Sequence, residues 1–600
     1  MNLGIFLIEQ LKLYGSDHIF GIPGDYMLNF MHEVEEHKGI EYVGVSREDC
    51  AGHAADAYGR LRGCGAVCVT YSVGAMNIMN SVAGAYAERS PLVVLVGKPS
   101  SDDLLVNPNR HHTINDENTQ KDIFKNITCN TCSLDSEDMF VNMAMIHLAL
   151  NQMRVNSRPV YIEFSNKDIV RSVDKYLKKF QMVYGDDIPS KKHPTYVKDT
   201  NGIIAKDTPL SKECNSVNLP YEDLDKFKSA TDRVLIVGHE VFRHTLEDYI
   251  LSFAKKLNIP VFTTLLGKST ISEFNRNSIG CVSSLFSDPL VINEIKKSDC
   301  IVTIGMINTD IESFDFIADI SINMDDGITI KDKHIKTLKA TTSSFYELVR
   351  SSLVYLGDSV VQSDNCIDKW DNINDGVAAT RETMVDFLVN TSPTKLKHVF
   401  DTLGTLLTDD HVIISDIGES LFGMIDVPVR KGQFLCMAYY TSMSFSVPAA
   451  IGVKYAKPHK RPIVIVGDGA FQMTGSEFSS HIRNDLNSVV IILNNRGYST
   501  EKAIMQGKFN DIHNWRYDKI TDLMDGGVGM YIMDSDEFRD AMSTALSDES
   551  HSYVLNVEID PDDQSAAMKN IVQVLCRDRP KLTPLELLLQ SPHNATVHQR

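Results

Sequence analysis

Over roughly the first 170 residues, short apolar runs alternate with longer stretches in which apolar positions recur every three to four residues. The runs Tyr42–Val45, Gly65–Thr70, Leu92–Gly97 and Pro159–Phe164 predict buried strands, and the stretches between them predict helices. Met1 to Phe20, with Ile5, Ile8 and Leu11 at helical spacing and broken by Glu9 and Lys12, predicts an amphipathic helix and not a secretion signal. The alternation resumes at Arg233–Gly238, Pro260–Thr264 and Cys300–Gly305, and again at Val412–Ser415, Pro462–Gly467 and Ser488–Asn494. Strands that alternate with helices predict parallel sheets, so the fold class is α/β with three open, mostly parallel-sheet domains.

Polar stretches separate these units. The pattern predicts a first domain over 1–180, a linker over 181–225, a middle domain over 226–355, a linker over 356–390, a third domain over 391–575 and a tail over 576–600. No uncharged apolar run approaches the roughly 18 residues of a membrane span. The 79 acidic residues outnumber the 59 basic ones, and a net charge of −20 opposes binding to nucleic acid or anionic lipid. The 11 cysteines are an odd number scattered from Cys50 to Cys576, which predicts reduced thiols and a cytoplasmic protein. Cys129 and Cys132 form a CxxC with no second pair, and read as ordinary thiols.

The local pattern richest in chemistry is Gly467-Asp468-Gly469 directly after one predicted strand, with Asn494-Asn495 directly after the next. A strand, crossover helix and strand bring both strand ends to the same edge of a parallel sheet. A carboxylate and an amide oxygen there, with a backbone carbonyl near Gly497, suit a hard cation such as Mg²⁺ that also grips phosphate. Taken alone, GDG is a common turn.

Together the two motifs resemble the signature of thiamine-diphosphate (ThDP) enzymes. The resemblance implies Asp468, Asn495 and the Gly497 carbonyl as Mg²⁺ ligands. It also implies three domains, which hold the cofactor's aminopyrimidine, act as a middle domain, and hold its diphosphate. The segment Arg47-Glu-Asp-Cys-Ala-Gly-His-Ala-Ala-Asp-Ala-Tyr-Gly-Arg60 is similar to the family's activating segment. That similarity makes Glu48 the carboxylic acid that bonds the aminopyrimidine so that the thiazolium C2 proton can leave. An isolated Glu in a helix's first turn would otherwise be a macrodipole partner. Gly418, Glu419, Ser420, Thr441, Met443, Gly469 and Ala470 are the further cofactor-binding positions implied. Met443 corresponds to the bulky residue that props the cofactor into its bent form.

Gly21-Ile-Pro-Gly-Asp25, Arg110-His-His-Thr113 and Gly497-Tyr-Ser-Thr-Glu501 narrow the resemblance to the pyruvate, indolepyruvate and phenylpyruvate decarboxylase group. In that group a 2-oxo acid loses CO₂ through a ThDP ylide and enamine, and an aldehyde leaves. Asp25, His111, His112 and Glu501 are the implied proton relay, with clustered carboxyls and imidazoles perturbing one another's titration. Where the pyruvate enzymes carry Thr, Trp and Ile, this chain has Ile417, Leu421 and Thr500. Leu in place of Trp and Thr in place of Ile imply a pocket for a substrate larger than pyruvate. Tyr439-Tyr440 and Met443-Ser444 also resemble the phenylpyruvate-type enzymes, and Ser444 stands where the family commonly has Gly. A homodimer or homotetramer with active sites between subunits is implied. A ThDP-dependent carboligase and a non-catalytic protein on the same fold are the alternative readings.

Overall fold

The computed structural model describes residues 1–185, 225–283, 286–287, 289–309, 314, 316–330, 342–357 and 390–575. The expected linkers 181–225 and 356–390 and the tail 576–600 lie largely outside them, although the helix Asp174–Tyr184 runs past residue 180.

Three six-stranded sheets carry the chain. The first holds β1 (His18–Gly21), β2 (Glu41–Gly44), β3 (Gly65–Val69), β4 (Leu92–Lys98), β5 (Asn130–Ser133) and β6 (Val160–Ser165), in the order β2-β1-β3-β4-β6-β5. The middle sheet holds β7 (Arg233–Val237), β8 (Val261–Thr263), β9 (Ser278–Cys281), β10 (Cys300–Ile304), β11 (Ile320–Asn323) and β12 (Gly327–Ile330). Its order, β9-β8-β7-β10-β11-β12, is that of a doubly wound nucleotide-binding fold, with β12 antiparallel at one edge. The third holds β13 (His411–Ser415), β14 (Phe434–Leu435), β15 (Arg461–Gly467), β16 (Val489–Asn494), β17 (Val528–Ile532) and β18 (Tyr553–Glu558). Its order, β14-β13-β15-β16-β18-β17, repeats the connectivity of the first sheet. Every other strand pair is parallel, as the alternating pattern predicts.

The amino-terminal expectation needs correction. Met1 to Phe20 is not one helix: the helix ends at Leu13, Gly15 takes φ +100°, and the chain turns into β1. The left-handed turn at Gly15 is the signal that separates the two elements.

The first and third domains share one hydrophobic core, in which Ala51, Ala54 and Tyr58 of the helix Glu48–Arg62 are packed with Ala449, Ala450 and Val453 of the helix Ser446–Ala456. Small side chains let these helices approach closely, since a Cβ on Gly452 would sit 1.9 Å from the Ala54 carbonyl oxygen. Among the described residues no helix is long and apolar enough to cross a membrane.

Candidate active site

The third sheet brings together the residues that the motifs offer as cation ligands. β15 and β16 are adjacent and parallel, with Gly467 opposite Leu493, so Asp468 and Asn495 emerge from neighbouring strand ends. Asp468 is 1% exposed; its Oδ1 accepts the Gly469 N–H at 2.7 Å, and its Oδ2 accepts the Arg496 and Gly497 N–H groups at 2.6 and 3.1 Å. Burial pushes its carboxyl up to about 6 against the pull of those donors, so a nearby cation would relieve a real electrostatic cost. Asn495 Oδ1 is buried with no hydrogen-bond partner, as is Ser420 Oγ. The Gly497 carbonyl accepts one bond, from the Ser499 N–H at 3.1 Å, and keeps a second lone pair. A carboxylate, an orphaned amide oxygen and a half-used carbonyl form a donor set that fits Mg²⁺ beside a diphosphate.

These residues border a cavity of about 280 Å³. The third-domain ligand, cofactor, substrate and relay candidates all line it: Ile417, Gly418, Glu419, Ser420, Leu421, Thr441, Met443, Asp468, Gly469, Ala470, Asn495, Gly497, Thr500 and Glu501, whereas Tyr439, Tyr440 and Ser444 do not. Gly418 takes φ +80°, a conformation that favours glycine at this turn. Gly469 has no room for a side chain, since a Cβ would lie 2.5 Å from the Tyr498 ring. Sequence reasoning missed the middle domain's share of the wall, Leu265 and Phe286, the latter stacked on Phe422 at 5.2 Å between centroids. Apolar residues so far apart in sequence carry no local signal.

Asp416 was also missed. Fully buried, it accepts the Ser444 and Ser446 N–H groups, both at 3.1 Å, and the Ser446 hydroxyl at 2.8 Å, which fixes the turn that carries Met443. Within that turn Ser444 adopts φ +82°, which accounts for the glycine commonly found there. Ser444→Gly is expected to stabilise the fold by about 0.5–1 kcal/mol, whereas Ser444→Ala brings no gain. Thermal melts of the two variants beside the parent check this, and equal midpoints for all three would refute it.

Glu419 borders the cavity, and its side chain is bonded within the third domain. Its carboxylate oxygens accept the Ser565 N–H at 3.3 and 3.2 Å, just before the helix Ala566–Leu575. Burial raises its carboxyl to about 7, so the folded state holds the proton longer than the unfolded chain, whose value is near 4.5. Stability is therefore lost as pH rises from about 4.5 to 7. Glu419→Gln is expected to flatten that slope in the cofactor-free protein and to add on the order of 2–3 kcal/mol at pH 8. Denaturant melts at pH 5 and pH 8 measure it; parallel slopes for variant and parent would refute it.

The first domain presents its candidates separately. Glu48 is the first residue of the helix Glu48–Arg62, and its Oε2 accepts Asn77 Nδ2 at 2.7 Å. Buried Glu477 of the third domain fixes the preceding turn by accepting the Ser46 N–H at 3.1 Å and the Ser46 hydroxyl. Asp25 opens the short turn Asp25–Met27, and its Oδ2 lies 2.7 Å from His111 Nε2. Tyr26 stacks on His111 at 4.9 Å, and Asn166 donates to the Asp25 carbonyl at 2.6 Å; neither supporting residue was foreseen. Ligand atoms of Asp25, His111 and His112 lie within 4.8 Å of one another, close enough to exchange protons or to share a cation. Cys129 and Cys132 are both free thiols.

The structure thus brings the third-domain set together around one cavity and the Asp25, His111 and His112 set together at the surface. No first-domain residue lines the cavity, and Asp25 and His111 remain more than half exposed.

Three domain families match in the same order as the three sheets. They are the thiamine pyrophosphate enzyme N-terminal TPP binding domain over residues 1–123, the central domain over 224–342 and the C-terminal TPP binding domain over 416–557. The chain belongs to the thiamine pyrophosphate enzymes. Within them it is a member of the 2-oxo acid decarboxylase family, carboxy-lyases that use thiamine diphosphate. It is 29% identical to the indole-3-pyruvate decarboxylase of Azospirillum brasilense, over 91% of this chain and 93% of the relative. It is 28% identical to an alpha-keto-acid decarboxylase of Mycobacterium avium (strain 104), over 86% of each chain. It is 26% identical to pyruvate decarboxylase 1 of Pisum sativum, over 92% of this chain and 89% of the relative.

Proposed function

We propose that this protein converts a 2-oxo acid larger than pyruvate, such as phenylpyruvate, indolepyruvate or a branched-chain oxo acid, to an aldehyde and CO₂. The observation that carries this reading is the cavity itself. Asp468 and the orphaned Asn495 amide oxygen stand at one end, Glu501 borders it, and Leu265, Phe286, Leu421 and Phe422 form an apolar wall. Such a wall favours a substrate with an apolar side chain over pyruvate's methyl group.

In this reading Asp468, Asn495 and the Gly497 carbonyl hold Mg²⁺ against the diphosphate. Met443 and the Gly418–Ser420 turn shape the remaining cofactor contacts. Bound ThDP supplies the carbanion chemistry that accepts the electrons left by CO₂. Glu48 holds a proton at the aminopyrimidine nitrogen. Asp25, His111, His112 and Glu501 move protons to and from the reacting carbon and oxygen. Ile417, Leu421 and Thr500 set the size of the pocket.

A second copy of the chain completes the site. In one chain the cavity lacks a first-domain wall while Asp25 and His111 face solvent, and pairing two copies about a two-fold axis supplies each deficit from the other's surplus. A homodimer is the minimum and a homotetramer is two such pairs. The free cysteines among the described residues fit the cytoplasm.

CO₂ release across a panel of 2-oxo acids, with and without ThDP and Mg²⁺, tests the reading. At least about a tenfold higher kcat/KM for the larger acids than for pyruvate is expected, from about one to three kcal/mol of apolar discrimination. Pyruvate as the best substrate would overturn the size assignment. Absence of cofactor-dependent CO₂ release from every acid would overturn the activity, and acyloin in place of free aldehyde would make the protein a carboligase.

A further inference from the structure

Where the three domains meet, a second cavity of about 30 Å³ lies off the carboxyl ends of β7 and β8. Four basic side chains line it, Arg60 from the first domain and His239, Arg243 and Lys268 from the middle domain, and no carboxylate does. The third domain closes it with the backbone of Gly432 and the side chains of Phe434, Leu435 and Cys436. The neighbouring switch-point crevice, between β7 and β10, is shut. A Cβ on Gly238 would lie 2.1 Å from the Gly305 carbonyl oxygen, and Arg89 of the first domain pairs there with Glu240.

Two of the four basic groups have their charge answered outside the cavity. Arg60 donates to Asp56, to Glu88 and to the Cys436 carbonyl, each at 2.9 Å. Lys268 donates to Glu273 at 2.9 Å and to the Ile425 carbonyl at 3.0 Å. The other two groups are not so satisfied. Arg243 makes one guanidinium hydrogen bond, to the Arg60 carbonyl at 3.3 Å, and its Nε is buried with no partner. Among the described residues no carboxylate pairs with it. His239 is 3% exposed, and neither of its ring nitrogens has a partner.

The carboxylates that act on Arg243, Asp56 and Glu88, are bonded to Arg60 and reach it only at longer range. A buried guanidinium so placed is costly, and water answers its hydrogen bonds without adding charge. We propose that this junction is a binding site for one small anion, a halide or a carboxylate no larger than formate, held by Arg243 and by an N–H of His239. The size limit comes from the cavity, which has room for about two or three water-sized atoms and none for a nucleotide or a second 2-oxo acid. Burial holds the His239 imidazole in its neutral form, which offers one N–H donor, and lowers the Arg243 guanidinium to about 9, leaving it charged at neutral pH. Because the walls come from all three domains, the bound anion strengthens their packing, and stability rises with anion concentration.

The test uses the ThDP- and Mg²⁺-loaded protein, and it is independent of which substrate the active site takes. Crystals soaked in sodium bromide should show an anomalous peak beside Arg243 and His239. Melting temperature is followed in sodium chloride, in sodium formate, and in sodium gluconate, too large to enter, at one ionic strength. Chloride or formate should raise the midpoint above gluconate, and the rise should vanish in Arg243→Met and in His239→Phe. A rise with halide identifies a halide site, and a rise with formate alone identifies a carboxylate site. If Arg243→Met fails to fold, His239→Phe gives the same reading. The proposal falls if no bromide enters and neither anion exceeds gluconate, or if the rise survives in the folded variants.

Discussion

Glu48→Ala is expected to cut exchange of the bound cofactor's C2 proton with solvent by about 10²–10⁴-fold, and to remove decarboxylation with it. The physical reason lies in the way this carboxyl is mounted. It begins the helix Glu48–Arg62, bonded to Asn77, and the turn before it is clamped by Glu477 across the domain boundary. Removing an acid from a helix's first turn costs at most about 1 kcal/mol of stability. The variant should therefore fold, assemble and bind the diphosphate end of ThDP through Asp468 and Asn495. Exchange is read by NMR after acid quench in D₂O. Exchange at the parent's rate in a folded, cofactor-loaded Glu48→Ala protein would show that another group activates the cofactor.

Glu501→Gln is the second large effect. Glu501 lies on the short helix Ser499–Ile504, borders the cavity, and has no side-chain hydrogen bond among the described residues. Its amide replacement keeps size and hydrogen bonding but cannot give up or take a proton. ThDP affinity should stay within about a factor of two, while kcat falls by about 10²–10⁴, as expected when one proton-transfer group is lost. A fall in ThDP affinity with kcat intact would make Glu501 a cofactor ligand instead, and an unchanged kcat would remove it from the chemistry.

How much of this was legible follows from the range of the signals. Asp468, Asn495 and Gly497 could be joined from the sequence because a single strand–helix–strand unit carries them, and β15 and β16 are neighbours as that unit requires. Much of the sheet interiors was equally readable, since β4, β7, β10, β15 and β16 are largely apolar runs bounded by turn residues, whereas the interior strands β11 and β18 were not foreseen. The edge strands β5 and β17 were not readable either, although the edge strand β2 was. β5 is Asn-Thr-Cys-Ser and β17 alternates exposed and half-buried positions, so neither has the composition of a buried strand. β1 was absorbed into the helix before it because Ile19 and Phe20 extend the same apolar pattern.

Within the site the losses are all long-range. Leu265 and Phe286 reach the cavity only through the packing of the middle domain on the third, and Asp416 acts on a turn some thirty residues away. The grip of Glu477 on Ser46 spans 431 positions. The three-domain junction is of the same kind, because Arg60, His239 and Arg243 look like ordinary surface or helix residues until the domains close on them. Family resemblance supplied the identity of Glu48, Asp25, His111 and His112, and local pattern alone would have left them as a helix-start acid, a turn residue and a pair of loop histidines.

In the proposed function one coenzyme is held by an acid from the first domain and a cation site in the third. Isothermal titration of the folded protein with ThDP, with and without Mg²⁺, probes that claim most directly. Binding of one ThDP per chain is expected with Mg²⁺ present, weakened by about tenfold or more when the metal is chelated and in Asp468→Asn. Folded protein that takes up no ThDP in the presence of Mg²⁺, or takes it up equally well without the metal and without Asp468, would contradict it.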